Sequence, residues 1–219
     1  MSLGINTSKF KFIGGDISLD FANTVNGRIS SPNKKGGHDY YDAFASDKLS
    51  NYADLIAWSS KAELFDEKEA GKLLQNGEVN PPAATTVFKR ALNLRESIYR
   101  LFRATIESWQ PEVEDLEKLN RELSIARRHQ KLSAVKNGFA FEWLTPENSL
   151  DSMLWQISES AVNLLLNGDL TRIRRCENDV CHWIFLDTSR NRSRQWCVMN
   201  DCGNVAKVRR FRAKQKAVQ

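Results

Sequence analysis

Apolar residues recur at three- and four-residue intervals along most of the chain, the period of a helix with one buried face. Tyr52, Leu55, Ile56 and Trp58 form one such face, and Asn51 with Asp54 ahead of it has the form of a capping pair. Asp66 with Glu69 marks a second start, and Asn76-Gly77 marks its stop. Pro81-Pro82 opens a long helix with Phe88, Ala91, Leu94, Ile98, Phe102 and Trp109 near one face, until Pro111 breaks it. Val113, Leu116, Leu119, Leu123 and Ala126 repeat the period in the next helix. Thr145-Pro146 fits a cap followed by proline at the first helical position. The helix through Met153, Leu154, Ile157, Ala161, Leu164 and Leu165 ends at Gly168.

Elsewhere the pattern changes. Residues 132–143 alternate around Asn137-Gly138, a strong hairpin signal. Phe10-Lys11-Phe12-Ile13 predicts a short strand before the Gly14-Gly15 turn, and residues 19–25 predict the start of a helix. From Gly27 to Gly37 the chain is polar and rich in Gly, Ser, Asn and Lys, which predicts a surface loop. The expected fold is mostly α with some β (α+β). It has a helical N-terminal domain over residues 1–170 with a small β-hairpin, then a small hairpin-and-helix module over 171–219.

Charge separates these two segments. The 219 residues carry a net +5, but 12 Lys and Arg face 4 Asp and Glu from Arg172 to Gln219. That tail is strongly basic and the remainder mildly acidic, which suggests two tasks on one chain and an affinity of the tail for polyanions. No apolar run is long enough to span a membrane. The N-terminus lacks the basic-then-apolar form of a secretory signal, so a cytoplasmic, thiol-reducing setting is expected.

All four cysteines fall in the basic tail, as Cys176-x4-Cys181-x15-Cys197-x4-Cys202. Two pairs on turns suit a tetrahedral, closed Zn²⁺ site, one structural zinc per chain. Disulfides, an iron–sulfur cluster and four unrelated thiols are the competing uses. The first conflicts with a reducing setting, and the spacing fits neither common ferredoxin pattern. Between the pairs, His182-Trp183-Ile184-Phe185-Leu186 reads as a strand, and Arg190, Arg192 and Arg194 sit on a polar turn. After Cys202 a helix would place Val205, Val208 and Phe211 on one docked stripe. Lys207, Arg210 and Lys214 would flank it on one side, Arg209, Arg212 and Lys216 on the other.

In these residues the chain resembles the CGNR zinc-finger family. The resemblance runs through Cys176-x4-Cys181, Trp183, Phe185, Asp187-Thr188-Ser189-Arg190-Asn191, Arg194-Gln195-Trp196-Cys197, Cys202-Gly203-Asn204 and Lys207. The namesake arginine position holds Val205. Gly14-Gly15-x3-Leu19-Asp20-Phe21-x-Asn23-Thr24 and Tyr52-Ala53-Asp54-Leu55-x-x-Trp58 resemble the ABATE domain that precedes such fingers. Together the resemblances imply a bacterial protein proposed to act as a stress-induced transcription regulator.

The expected partner is duplex DNA, held by Arg190, Arg192, Arg194, Lys207, Arg209, Arg210, Arg212 and Lys214. RNA or ribosome binding is the alternative, and would be favoured by exposed Trp183, Phe185, Trp196 or Phe211 rings. A zinc-stabilised contact module for another protein is a further alternative. Asp20, Asn23 and Thr24 either line a pocket for a small effector or supply capping and turn chemistry at a helix start. A homodimer is compatible with the helical body but no heptad run requires it. No catalytic residue is expected: there is no phosphate loop, nucleophile elbow or His-Glu-x-x-His helix.

Overall fold

The computed structural model describes residues 7–35, 38–147 and 149–216, with the backbone alone at 30–35, 38–42, 210, 211, 213, 214 and 216. Among them, six helices build the body: α1 (Ile17–Ala22), α2 (Tyr52–Lys61), α3 (Glu67–Val79), α4 (Pro81–Ile106), α5 (Val113–Arg128) and α6 (Ser152–Asn167). Two antiparallel hairpins accompany them, β1 (Val25–Lys35) with β2 (His38–Asp47), and β3 (Gln130–Val135) with β4 (Gly138–Trp143). The cysteine module adds the pair β5 (Ile173–Arg175) and β6 (Ile184–Leu186), then α7 (Asn204–Lys216).

Helix α4 is the axis of the core. Its Leu94, Ile98 and Phe102 are buried against Leu19 and Phe21 of α1, Trp58 of α2, and Met153, Leu154 and Ile157 of α6. Burial of each such side chain stabilises by about 1.5–3 kcal/mol, more than the few tenths that separate most residues in helix propensity. Packing therefore fixes this helix. The caps at Asn51 and Asp66 form as their sequences suggest, with side chains accepting from the N–H groups of Asp54 and Glu69 at 2.9 and 2.8 Å. Gly77 does not end α3; the helix continues to Val79, and Gly77 packs against the Tyr52 ring. Thr145-Pro146 forms a turn rather than a cap, and α6 starts six residues later at Ser152.

The expected loop at 27–37 is instead most of strand β1, although residues 36 and 37 lie outside the described residues. No apolar alternation announces it, because buried arginines fasten this hairpin. Arg95 on α4 holds the Asp47 carboxylate with two bonds of 2.8 Å, and Arg28 on β1 reaches Glu96 at 2.5 Å. The Arg28 guanidinium lies 3.5 Å from the centre of the Tyr99 ring. The β3–β4 pair forms as expected, with Lys136-Asn137 as its two turn residues and Gly138 already in β4 at φ 142°. Residues 10–13 are not a strand. Their backbone turns over α1, where Asp20 accepts from the N–H groups of Ile13 and Gly14, both at 2.7 Å.

The cysteine module shares the body's core, since Ile173 and Ile184 belong to the same buried cluster as α4. The Asn23 amide donates to the Ile184 carbonyl at 2.7 Å and accepts from the Ile184 N–H at 3.0 Å. Leu186 N–H donates to the Gly14 carbonyl at 2.7 Å. Trp183 Nε1–H donates to the Val25 carbonyl at 2.6 Å, and the Tyr99 hydroxyl to the His182 carbonyl at 3.0 Å. The Gly14-Gly15 turn is close-packed: a Cβ on Gly14 would lie 2.9 Å from Leu19 Cβ, and Gly15 adopts φ 79°.

Replacing Asn23 tests this junction. Asn23→Ala leaves a buried N–H and a buried C=O unpaired, at about 1–3 kcal/mol each. Urea unfolding of the full-length protein should show a loss of about 2–6 kcal/mol. Asn26→Ala, which removes an exposed contact to Ser46, should change stability by less than about 0.5 kcal/mol.

Candidate metal centre and basic surface

Each cysteine is presented by a local turn. Cys176 follows β5, and Cys181 closes a turn in which its N–H donates to the Asn178 carbonyl at 2.8 Å. His182 then takes φ 59°, which turns the chain into β6. Cys202 lies in a π-helical turn, Met199–Gly203, that runs directly into α7. Gly203 is needed there, because a Cβ would collide with Met199 Sδ and the Trp196 ring.

The four Sγ atoms lie within 4.8 Å of one another. Cys181 and Cys197 are 3.6 Å apart at sulfur, and Cys197 and Cys202 are 3.5 Å apart. A disulfide would need about 2.05 Å. A tetrahedron of thiolates at about 2.3 Å from Zn²⁺ has edges of about 3.8 Å, so these sulfurs fit a zinc ion. Sulfurs this close cannot all ionise alone. Cys176 accepts hydrogen bonds from Cys181 and Cys197, which pulls its thiol well below the ordinary thiol range. The bonds to Cys176 push both of those donors up. A divalent cation held by the four cysteines would replace the shared protons and let all four ionise. His182 stands outside the cluster, half-buried, with Nδ1 3.0 Å from Arg175.

Three of the four thiols belong to a second buried cluster with Trp183, Phe185 and Trp196. These rings are 6%, 0% and 8% exposed. They form the core of the module and offer no stacking face. Arg194 joins them, and this corrects its expected place on the nucleic-acid surface. Its guanidinium lies 4.1 Å from the centre of the Phe185 ring and donates to the carbonyls of Trp196, Ile13 and Cys197.

The other expected cations divide. Arg190 and Arg192 are exposed, with Arg192 within 3.1 Å of Asp169. Lys207, Arg209 and Arg212 are exposed along α7, with Arg209 within 3.3 Å of Asp179. The side chains of Arg210, Phe211, Lys214 and Lys216 lie outside the described residues. The expected docked stripe does not dock at its described positions: Val205 and Val208 are 42% and 48% exposed, and Ala206 packs against the cysteine cluster instead.

The fold turns Asp20, Asn23 and Thr24 inward. They are 6%, 1% and 2% exposed, and each makes side-chain hydrogen bonds within the chain. Asp20 caps the Ile13-Gly14 turn, Asn23 holds Ile184, and the Thr24 hydroxyl donates to the Phe21 carbonyl at 2.8 Å. The capping reading of these residues is the one realised. Burial raises the Asp20 carboxyl to about 6, against the opposing effect of its two backbone donors.

Sequence reasoning passed over Lys11 and Lys48. Both line a cavity of about 350 Å³ together with Cys181, Cys197, Cys202 and Trp183. Lys11 is paired with Asp201 at 2.6 Å. Burial lowers Lys48 to about 8, and nearby Lys11 adds to the effect while the thiols of Cys181 and Cys197 oppose it. No linear spacing connects these lysines to the cysteines.

Residues 15–168 match the ABATE family, described as "Putative stress-induced transcription regulator", and residues 172–215 match the CGNR zinc finger. The chain belongs to the ABATE family. Its finger follows the ABATE region in sequence and holds a four-cysteine metal site. No curated protein matches the chain. The ABATE motif Gly14-Gly15…Leu19-Asp20-Phe21…Asn23-Thr24 is the surface on which the finger sits.

Two measurements follow from this site. Complete chelation should abolish the near-UV circular dichroism of Trp183 and Trp196, because the ligand thiols are half of their core. Most of the far-UV helical signal should remain; an unchanged near-UV spectrum would contradict the site. The second concerns Asp20. Its folded pKa is raised above the ordinary value of 3.8, so the folded state binds a proton that the unfolded state releases. Its contribution to stability therefore rises as pH falls from about 7 through 6 towards 4, by up to about 3 kcal/mol. The difference in unfolding free energy between wild type and Asp20→Asn should carry this slope, and a pH-independent difference would refute it.

Proposed function

We propose that this protein is a DNA-binding transcription regulator whose four-cysteine finger holds one structural zinc ion per chain. The observation that supports the reading is the placement of α7. It leaves the metal site at Cys202 and carries exposed Lys207, Arg209 and Arg212, with exposed Arg190 and Arg192 on the same module. Cations on a metal-fixed element suit the regular phosphate rows of a duplex. Four thiolates close the zinc shell, so the ion supplies structure and no reactive position. The protein is thus read as a binder rather than an enzyme, at work with the chromosome in the cytoplasm. Burial of Trp183, Phe185 and Trp196 favours duplex DNA over unpaired RNA, which would need exposed rings.

The test is fluorescence anisotropy of a mixed-sequence duplex against salt concentration. Each phosphate contact contributes about −0.9 to the slope of log affinity on log salt. Lys207→Gln with Arg212→Gln should reduce the slope by about two, weakening binding alike for different sequences. Arg194→Gln should lower stability without that change of slope. Absence of duplex affinity at low salt would refute the reading, and tighter binding to single-stranded RNA of equal length would replace it with the RNA alternative.

A further inference from the structure

We propose that Lys48 of the ABATE body is the counter-cation of the finger's thiolate centre, so that the body helps the finger retain its metal. The inference rests on the zinc reading of the four-cysteine site. Four thiolates and Zn²⁺ leave a net charge of −2 on the centre, which nearby cations stabilise. Three of the sulfurs, those of Cys181, Cys197 and Cys202, line the cavity that Lys48 also lines.

Lys48 is held in place from both sides. Asp47 before it is fixed by Arg95, Leu49 after it is buried, and the Lys48 N–H donates to the Thr24 carbonyl at 3.0 Å. Its ammonium lies 4.4 Å from the centre of the Trp183 ring, two residues from Cys181. Among the described residues no carboxylate lies within ion-pair distance of Lys48. The other cavity lysines differ: Lys9 is paired with Asp54 at 2.5 Å and Lys11 with Asp201 at 2.6 Å. The finger's own arginines near the centre are engaged too. Arg194 serves backbone carbonyls, Arg175 lies 3.1 Å from Glu107, and Arg174 donates to the Arg192 carbonyl. Lys48 is left as the half-buried positive charge that faces the thiolates without a carboxylate of its own.

The role is one of positioning, and its test reads the metal directly. Zinc affinity of full-length wild type, Lys48→Met and Lys48→Arg would be measured by competition with a chromophoric chelator. Lys48→Gln replaces the methionine variant if that one does not fold. The neutral variant should bind zinc about tenfold more weakly, at the lower end of the usual effect of a group beyond the ligands. Lys48→Arg should stay close to wild type. In Co²⁺-loaded protein the neutral variant should shift the thiolate-to-cobalt charge-transfer band and keep the intensity of the tetrahedral visible bands. Equal zinc affinity in the neutral variant and wild type would overturn the proposal. So would equal losses in Lys48→Met and Lys48→Arg, which would assign the effect to packing on Trp183. A wild-type protein that takes up no zinc would overturn this proposal together with the zinc reading.

Discussion

Asn23 gives its side-chain amide to both hydrogen-bonding groups of Ile184, and the position of the finger depends on that pair. The exchange copies what a neighbouring strand would offer β6, yet it comes from the end of a helix. Everything around it is arranged so that this contact can form. Asp16 caps the start of α1, accepting from the Ser18 N–H at 2.8 Å. Asp20 gathers the preceding turn against the helix, and Gly14 presents its carbonyl to Leu186. The buried Asp20 carboxyl, held for its two backbone donors, carries a desolvation cost that the fold bears for this geometry. The polar residues for which a pocket and capping chemistry were the two readings are thus part of what joins the two segments.

This arrangement bears on how a finger of this size stays folded. The module has a few buried rings and three ligand thiols for a core, too little for independent stability without a metal. Its remaining apolar strand positions, Ile173 and Ile184, are buried in the body instead. Metal, small core and docking surface therefore act together. A divalent cation bound among the four sulfurs, which lie within 4.8 Å of one another, would offset their mutual repulsion. Trp183 joins the module to the body, packed in the cysteine cluster while its indole N–H is bonded to β1.

Much of this was legible in the sequence and some was not, for identifiable reasons. The helices were legible because each buries one face, as at Tyr52, Leu55, Ile56 and Trp58. The metal site was legible because its four ligands cluster in sequence and zinc chemistry restricts their type. The β1–β2 hairpin was not, because arginine pairs on α4 fasten it in place of an alternating apolar face. Arg194 read as a surface cation, but a guanidinium that stacks on Phe185 and serves three carbonyls has the same local sequence as one that meets phosphate. Lys48 carries no linear signal, since it meets the cysteines only through the fold.

The departure from the namesake motif follows the same physical division. Cys202 belongs to the four-cysteine cluster, Gly203 is required where the chain crosses Trp196 and Met199, and Asn204 donates to the Asn200 carbonyl at 2.9 Å. Those three positions build the turn that connects metal to helix. The fourth, Val205, points outward from the first turn of α7 and is 42% exposed. A valine there removes neither a ligand nor a packing contact on which the turn depends. What it removes is a cation from the surface of the helix, where Lys207, Arg209 and Arg212 remain. Position 205 therefore belongs to the exposed surface of α7, apart from the four-cysteine cluster.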